Sequence, residues 1–260
     1  HLHTRPEIAY NEHYTSALVA DYLKDWGYEV TTGIGGTGVV GTQQLGAGER
    51  SIGIRADMDA LPIDEATGLD YASQNPGLMH ACGHDGHTTI LLSTAQRLAK
   101  ERNFSGTVRL IFQPAEEIGG GAREMVKDGL FERFPVDAVF GLHNWPGIAP
   151  GHFGFLEGPA MASVDMAIIR IQGRGGHGAK PHLAIDPIVI ASSLVLALQT
   201  IVARHVDPLE SAVVTVGSIH GGSLPNVIPD SVELQLTVRA FNEAVRQSIR
   251  QRITALVHSH

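Results

Sequence analysis

The chain has 260 residues, 43% hydrophobic and 18% charged, a composition typical of one large or two smaller globular domains. Its 19 Lys and Arg against 27 Asp and Glu give a net charge of −8, which argues against nucleic acid and membrane partners. The single cysteine, Cys82, excludes an intrachain disulfide framework, and we predict a cytoplasmic location.

Helix and strand patterns alternate over residues 1–158. In chain order they predict a helix over 12–26 capped by Asn11, strands over 28–32, 37–45 and 50–56, a helix over 87–101, a strand over 107–112, a short helix over 121–127 and a strand over 136–142. This order predicts an α/β domain with a mixed, mostly parallel sheet flanked by helices. Ligands of such sheets gather beyond the carboxyl ends of the strands.

The pattern changes near residue 159. The sequence predicts a strand over 163–171, a helix over 187–204, strands over 212–219 and 232–241, and a final helix capped by Asn242. The order β-α-β-β-α is that of a ferredoxin-like unit without its last strand. We therefore expect residues 159–260 to form an inserted, incomplete α+β lid or dimerisation domain, with the rest of the catalytic domain following residue 260. The apolar run 188–203 contains four polar residues, and we expect it to be too short and too polar to span a bilayer.

One glycine-rich segment matches a dinucleotide fingerprint. Residues 33–38 read G-x-G-x-x-G, and an acidic residue, Asp57, follows about twenty residues later. A nucleotide site needs a helix after the glycines, so that its N-terminus meets the pyrophosphate, whereas a strand pattern follows here. An NAD-dependent oxidoreductase therefore remains only a weak alternative.

The strongest chemical signal is the segment H-A-C-G-H-D-G-H at residues 80–87. It holds Cys82 and three histidines, among them His84, and thiolate with imidazole is the ligand pair that zinc and similar metals prefer. In an extended C-x-H segment both donors lie on the same side, so both can meet one ion or a close pair. The alternative is a buried free cysteine among residues that cap the following helix.

Three further polar groups follow predicted strands. Glu116 and Glu117 end the segment Q-P-A-E-E, and in extended backbone adjacent carboxylates point in opposite directions, so one would bind metal while the other faces a water molecule. His143 follows another strand. Asp57 and Asp59 leave a third on one face and are expected to orient the ligating histidines from behind. All of these positions lie where the sheet rule places ligands.

The motifs together resemble a known family. L-H-x-x-P-E, R-A-D-M-D-A-L-P, M-H-A-C-G-H-D-G-H, Q-P-A-E-E, G-L-H-N and G-R-G-G-H-G-A-K-P-H are similar to those of the hippurate hydrolase and auxin-conjugate amidohydrolase branch of the aminoacylase/carboxypeptidase G superfamily. The resemblance implies a metal-dependent amidohydrolase that cleaves N-acyl or N-aroyl amino acids with two divalent ions (zinc, manganese, nickel or cobalt). It implies that four residues are the ligands: Cys82, His84, Glu117 and His143. The family supplies one more histidine ligand from a C-terminal segment that has no match here.

The resemblance also implies the remaining roles. Glu116 would be the general base, and His177 would reach the site of a neighbouring subunit to stabilise an oxyanion. Asn226 and Arg239 would hold the carboxylate of a small-molecule substrate, and the small domain would form a homodimer or a higher oligomer. A protein that binds metal without catalysis is the main alternative, although a purely structural site has no need of Glu116.

Overall fold

The computed structural model describes all residues from His1 to His260 and divides into two compact units, His1–Ile148 and Ala149–His260. The sequence pattern predicted a boundary at residue 159, and the boundary in the structure lies earlier, between Ile148 and Ala149.

The first unit is an α/β layer structure. Its elements are α1 (His13–Asp25), β1 (Glu29–Ile34), β2 (Gly38–Leu45), β3 (Ser51–Asp57), α2 (His84–Glu101), β4 (Gly106–Gln113), α3 (Gly121–Lys127), α4 (Leu130–Arg133) and β5 (Ala138–Gly141). The five strands form one sheet in the order β1-β2-β4-β3-β5. Each predicted element is present, and α4 is an additional short helix.

The sheet of this unit is evenly mixed, so the expectation of a mostly parallel sheet was wrong. β3 pairs in parallel with β4 and β5, whereas β1 with β2 and β2 with β4 are antiparallel. Only residues 35–37 separate β1 from β2, and so short a connection can join only antiparallel strands. The G-x-G-x-x-G match spans this hairpin, with Gly33 in β1, Gly35 in the turn and Gly38 in β2, and no helix begins there.

Helices cover both faces of the sheet. Successive residues of a strand point to opposite faces, so the central strands present apolar side chains to both layers of helices. In β4, Leu110 and Phe112 pack against α1 and α2 in one apolar cluster, whereas Ile111 packs against Met125 of α3 in another. Burial on both faces explains the consecutive apolar residues Val39 and Val40 in β2 and Leu110 to Phe112 in β4.

The second unit is an α+β structure. It contains β6 (Ser163–Gln172), β7 (Gly176–His177), a 3-10 turn (Pro181–Leu183), α5 (Pro187–His205), β8 (Ala212–His220), β9 (Val227–Ile228), β10 (Ser231–Ala240) and α6 (Glu243–Ser259). An antiparallel sheet has the order β6-β10-β8, and β7 and β9 form a small ribbon. Helices α5 and α6 pack on one face of the larger sheet, as in a ferredoxin-like unit.

Helix α5 corrects one expectation from the sequence. It has 19 residues and a mean hydropathy of 1.7, so by length and composition alone it is long and apolar enough to cross a membrane. Its residues Leu194, Leu198 and Ile201 are buried in the core of this unit. Core packing accounts for this face of the helix, whereas other apolar residues such as Val189 and Leu196 are exposed.

Candidate metal centre

Three neighbouring parallel strands end at one edge of the sheet in the first unit. Their last residues are Asp57 in β3, Gln113 in β4 and Gly141 in β5, and Asp57 lies beside Gln113 in the strand register. Because parallel strands share a direction, the segments that follow them meet at this edge. Each segment carries residues singled out from the sequence, and helix α2 begins at the same place with His84.

His84 lies at the centre of these segments and is fully buried. Its Nδ1 lies 3.3 Å from Asp59 Oδ1, and its Nε2 lies 3.8 Å from Glu117 Oε1 and 3.9 Å from Glu116 Oε2. Asp59 also accepts the backbone N–H of Glu117 through Oδ2 at 2.9 Å. Asp59 therefore lies against the imidazole and fixes the backbone of Glu117, one of the two glutamates that face it.

The two glutamates differ from the expectation. Residues 116–119 form a turn instead of extended backbone, so both carboxylates approach His84 and do not point in opposite directions. They differ in exposure, since 40% of the Glu116 side chain is accessible but only 18% of that of Glu117. The more exposed carboxylate has access to water, and the more buried one lies among the candidate ligands.

Cys82 and His143 complete the cluster from the other side. Cys82 Sγ lies 3.3 Å from His143 Nε2, and His143 Nδ1 donates to the backbone carbonyl of Asn144 at 2.6 Å. Since a carbonyl only accepts, the neutral imidazole carries its proton on Nδ1, which leaves the Nε2 lone pair free for a metal.

Three groups of donor atoms share His84: in Asp57–His84–His87 both nitrogens of His87 make other contacts, and the other two groups hold the predicted ligands. Each of the triads Cys82–His84–His143 and His84–Glu116–Glu117 offers ligand atoms within 4.8 Å of one another. His84 Nε2 and Glu117 Oε1 are buried without a hydrogen-bond partner, as expected of atoms that serve as ligands. Sulfur, imidazole and carboxylate together suit a borderline divalent ion, so the residues present fit a metal site.

Charge in the cluster is predominantly negative. Burial alone would lower the pKa of His84, but Asp59, Asp57 and Glu117 outweigh it and raise that pKa above its usual value. Burial, together with the charges of Glu116 and Asp59, raises the pKa of Glu117. Burial, with Glu117 as the next cause, raises the pKa of the Cys82 thiol to about 12. An excess of carboxylates around one imidazole is the arrangement that a bound cation relieves.

Asp57 contacts a histidine other than the one expected. Its Oδ1 lies 2.7 Å from His87 Nδ1 and its Oδ2 lies 2.7 Å from Arg55 Nη1, whereas His84 Nε2 is 3.6 Å away. His87 Nε2 lies 2.6 Å from Asn144 Oδ1. Asp57 therefore supports the loop of His143 through His87 and Asn144, while Asp59 supports His84. Both nitrogens of His87 are engaged, which excludes it as a ligand.

His87 and Asn144 support the site, although neither was predicted from the sequence to do so. Their signal was present, since His87 follows His84 by three residues on a helix and Asn144 directly follows His143. Their side chains meet across 57 positions of sequence, a pairing that local patterns do not reveal.

The three other candidates lie in the second unit, apart from this cluster in the chain. His177 in β7 and Asn226 before β9 are neighbours, because Gly178 N–H donates to the Asn226 carbonyl at 2.8 Å. Arg239 lies in β10 between Val164 and Val213, on the sheet face that does not carry the helices. His177 Nδ1 accepts the N–H of Ala179 at 3.1 Å, so the proton of the neutral ring is on the exposed Nε2.

Comparison with known proteins decides the family. Residues 53–257 match the model described as peptidase family M20/M25/M40. The chain belongs to this family. The resemblance drawn from the motifs is therefore confirmed, and the match covers segments from both units.

Curated family members extend the likeness over almost the whole chain. A hippurate hydrolase of Campylobacter jejuni is 50% identical over 97% of this chain, and an N-acetyl-L-cysteine deacetylase of Bacillus subtilis is 48% identical over 98%. The chain spans 66% and 61% of the lengths of these two relatives.

Solved structures of the family share the fold. One is the crystal structure of a protein from methicillin-resistant Staphylococcus aureus that is 42% identical in sequence to this chain. It superposes with a TM-score of 0.90 and covers 98% of this chain and 68% of its own. The YXEP protein of Bacillus subtilis, described as a dinuclear metal-binding peptidase, is 38% identical, with a TM-score of 0.78 over 99% of this chain and 68% of its own.

Proposed function

We propose that the chain is part of a metal-dependent amidohydrolase that cleaves N-acyl or N-aroyl amino acids such as hippurate. The observation that carries the proposal is the pair of donor triads that share His84, one of which includes the accessible carboxylate of Glu116. The printed names of the relatives, a hippurate hydrolase and an N-acetyl-L-cysteine deacetylase among them, support this substrate class.

Four residues would hold two divalent ions, with zinc, manganese, nickel and cobalt as candidates. They are Cys82, His84, Glu117 and His143. When bound, such ions lower the pKa of water towards about 7 and polarise an amide carbonyl. Asp59 keeps His84 and Glu117 in place for this role, and the Asn144 carbonyl keeps the Nε2 lone pair of His143 available.

Glu116 would act as the general base. Its carboxylate takes a proton from the attacking water as the new carbon–oxygen bond forms at the amide carbon. It then delivers that proton to the leaving nitrogen as the carbon–nitrogen bond breaks. Two features support this assignment, namely the 40% exposure of Glu116 and its position 3.9 Å from His84 Nε2.

His177, Asn226 and Arg239 would complete the site from a second subunit. The exposed Nε2–H of His177 is available to donate to an oxyanion, and Arg239, which forms no ion pair in this chain, suits a substrate carboxylate. Asn226 lies beside His177 and would contribute a side-chain amide. This assignment requires at least a homodimer, formed through the second unit. We also propose a cytoplasmic location and a small molecule as the partner.

Metal analysis and hydrolysis of hippurate by the full-length protein test the proposal. We expect bound divalent metal, loss of activity on chelation and recovery when metal is returned. Glu116→Gln should lower kcat by about 10²–10⁴-fold and keep its metal, because only the proton acceptor is lost.

Glu132→Gln, at an exposed position of α4, is the matched control and should leave kcat unchanged. A protein without metal, and without activation when metal is added, would refute the proposal. Metal binding with no hydrolysis of any N-acyl amino acid would point to the non-catalytic alternative.

A further inference from the structure

The residue before the glutamate pair has an unusual backbone. Ala115 has a φ of +50°, a left-handed conformation that residues with a Cβ atom rarely adopt. It is fully buried, and its carbonyl accepts the N–H groups of Gly120 and Gly121 at 3.3 and 3.0 Å. This conformation turns the chain at the end of β4, so that Glu116 and Glu117 both face His84.

A buried carboxylate from far along the chain holds this residue. Glu12, fully buried and 103 positions earlier, accepts the Ala115 N–H through Oε1 at 2.9 Å. Its Oε2 accepts the Thr37 hydroxyl at 2.5 Å. The hydrogen bond to Ala115 satisfies an N–H group that would otherwise be buried without a partner.

Glu12 occupies a position that normally serves a different purpose. It stands at the N-cap of α1, where a short polar side chain would accept N–H groups of the first turn. Glu7 supplies that cap instead, accepting the N–H groups of Tyr14 and Thr15 at 2.9 Å each. The helix start therefore leaves the Glu12 carboxylate free for Ala115.

A second contact joins the same segment to the turn. A Cβ atom at Gly120 would lie 2.8 Å from the Tyr10 hydroxyl oxygen, so the Tyr10 ring packs directly on the turn backbone. Residues 7–12 thus support the turn of residues 115–121 at two points.

We infer that Glu12 is a positioning residue, which by its hydrogen bond to the Ala115 N–H keeps Glu116 and Glu117 directed at the metal cluster. The inference rests on the proposed function, since it gives Glu12, which follows the L-H-x-x-P-E motif, a role in the geometry of that site. It differs from a purely structural role, in which Glu12 would stabilise the fold without affecting how the site binds metal.

The test compares three variants of the metal-free full-length protein by their zinc dissociation constants, measured in competition with a chromogenic chelator. Glu12→Met keeps the volume but removes the acceptor, and should weaken zinc binding by about 10–100-fold, the range for residues that support metal ligands. Glu12→Gln can still accept from Ala115 while its amide donates to Thr37, so it should bind zinc as the wild type does. Thr37→Val removes the other hydrogen bond of the same carboxylate and is the matched control for lost stability.

The readouts are zinc affinity and Tm, measured together. The inference predicts that Glu12→Met and Thr37→Val both lower Tm but that only Glu12→Met weakens zinc binding. Equal zinc affinities in these two variants, or a loss in Glu12→Gln as large as in Glu12→Met, would overturn it. If the wild type itself binds no zinc or other divalent ion, it is the proposed function that fails.

If Glu12→Met does not fold, the same comparison can be made in a protein that already carries Ala115→Gly. Ala115→Gly adopts positive φ without strain, so Glu12→Met combined with Ala115→Gly should fold more readily. The double variant should bind zinc about tenfold more weakly than Ala115→Gly alone, the lower end of the same range. Equal affinities of these two proteins would also overturn the inference.

Discussion

The helices of the two units begin in different ways. In the second unit, Asp186 caps α5 by accepting the Ile188 N–H at 2.9 Å, and Asn242 caps α6 by accepting the Ala244 N–H at 2.8 Å. In the first unit, α2 follows Gly83, which has a φ of +85° and no side chain to serve as a cap. In the second unit, side chains at the helix starts therefore stabilise the helices. In the first unit, the start of α2 instead forms part of the candidate site.

The steric surroundings of Gly83 explain why a cap is absent there. A Cβ atom at this position would lie 2.7 Å from the Asn144 amide, the group that contacts His87. Helix α1 shows the same priority, because the Glu12 carboxylate contacts Ala115 and leaves capping to Glu7. At the starts of α1 and α2, the residue at the N-cap position therefore serves the candidate site and does not cap its own helix.

The largest expected effect tests whether the first unit binds the metal while the second supplies an oxyanion donor. His177→Ala should lower kcat for hippurate by about 10²–10³-fold, as expected for the loss of one oxyanion donor. Zinc affinity should not change, since all the proposed ligands lie in the first unit. Steady-state kinetics and chelator competition on the same preparation measure both, and His182→Ala in the adjacent exposed turn is the control. A fall in zinc affinity with kcat unchanged would show that His177 contributes to metal binding and not to catalysis.

The next effect is a pH dependence of stability that arises in the first unit. Burial would raise the pKa of Asp57, but the hydrogen bond from His87 and the charge of Arg55 lower it from 3.8 to about 2. A carboxyl with a depressed pKa in the folded state stabilises the fold above its unfolded pKa, and this contribution is lost as the pH falls from about 4 to about 2. At pH 7 it amounts to about 2 kcal/mol.

Asp57→Asn should therefore unfold with about 2 kcal/mol less free energy at pH 7, with the difference shrinking towards pH 2. Urea unfolding of the metal-free protein at several pH values measures it. Asp21→Asn, on the exposed side of α1, should follow the wild-type curve. A constant difference between Asp57→Asn and the wild type across this pH range would mean that the loss is one of packing and not of charge.

The smallest effect tests the caps of the second unit. Asp186→Ala and Asn242→Ala should each lower the free energy of unfolding by about 1 kcal/mol, the usual cost of a lost side-chain cap. Neither should change zinc affinity. Chemical unfolding combined with zinc titration measures both, and weaker zinc binding in either variant would show that these helix starts also serve the site.

Much of the metal cluster could be predicted because its residues follow strands whose patterns are strong. Asp57, Glu117 and His143 lie at or just beyond the ends of β3, β4 and β5, where the sheet rule places ligands. The start of α2 was predicted three residues too late, because the helix begins within the ligand segment, at His84, without a capping residue.

The supports of the site could not be predicted, since they depend on contacts between distant residues. The positive φ of Ala115 leaves no trace in Q-P-A-E-E, so the glutamates were expected to diverge. Its partner Glu12 lies 103 positions earlier and outside the motifs, and the pairing of His87 with Asn144 joins two of them. Local patterns locate the proposed ligands, but the residues that position them are known only from the fold.

The pKa of Cys82 has a consequence for chemical damage. Because its pKa is raised to about 12, the thiol of the metal-free chain is almost entirely protonated near neutral pH. Peroxide and alkylating reagents attack the thiolate, so they meet very little reactive sulfur. The burial and the carboxylates around this proposed ligand therefore also keep its sulfur in the protonated form that resists oxidation.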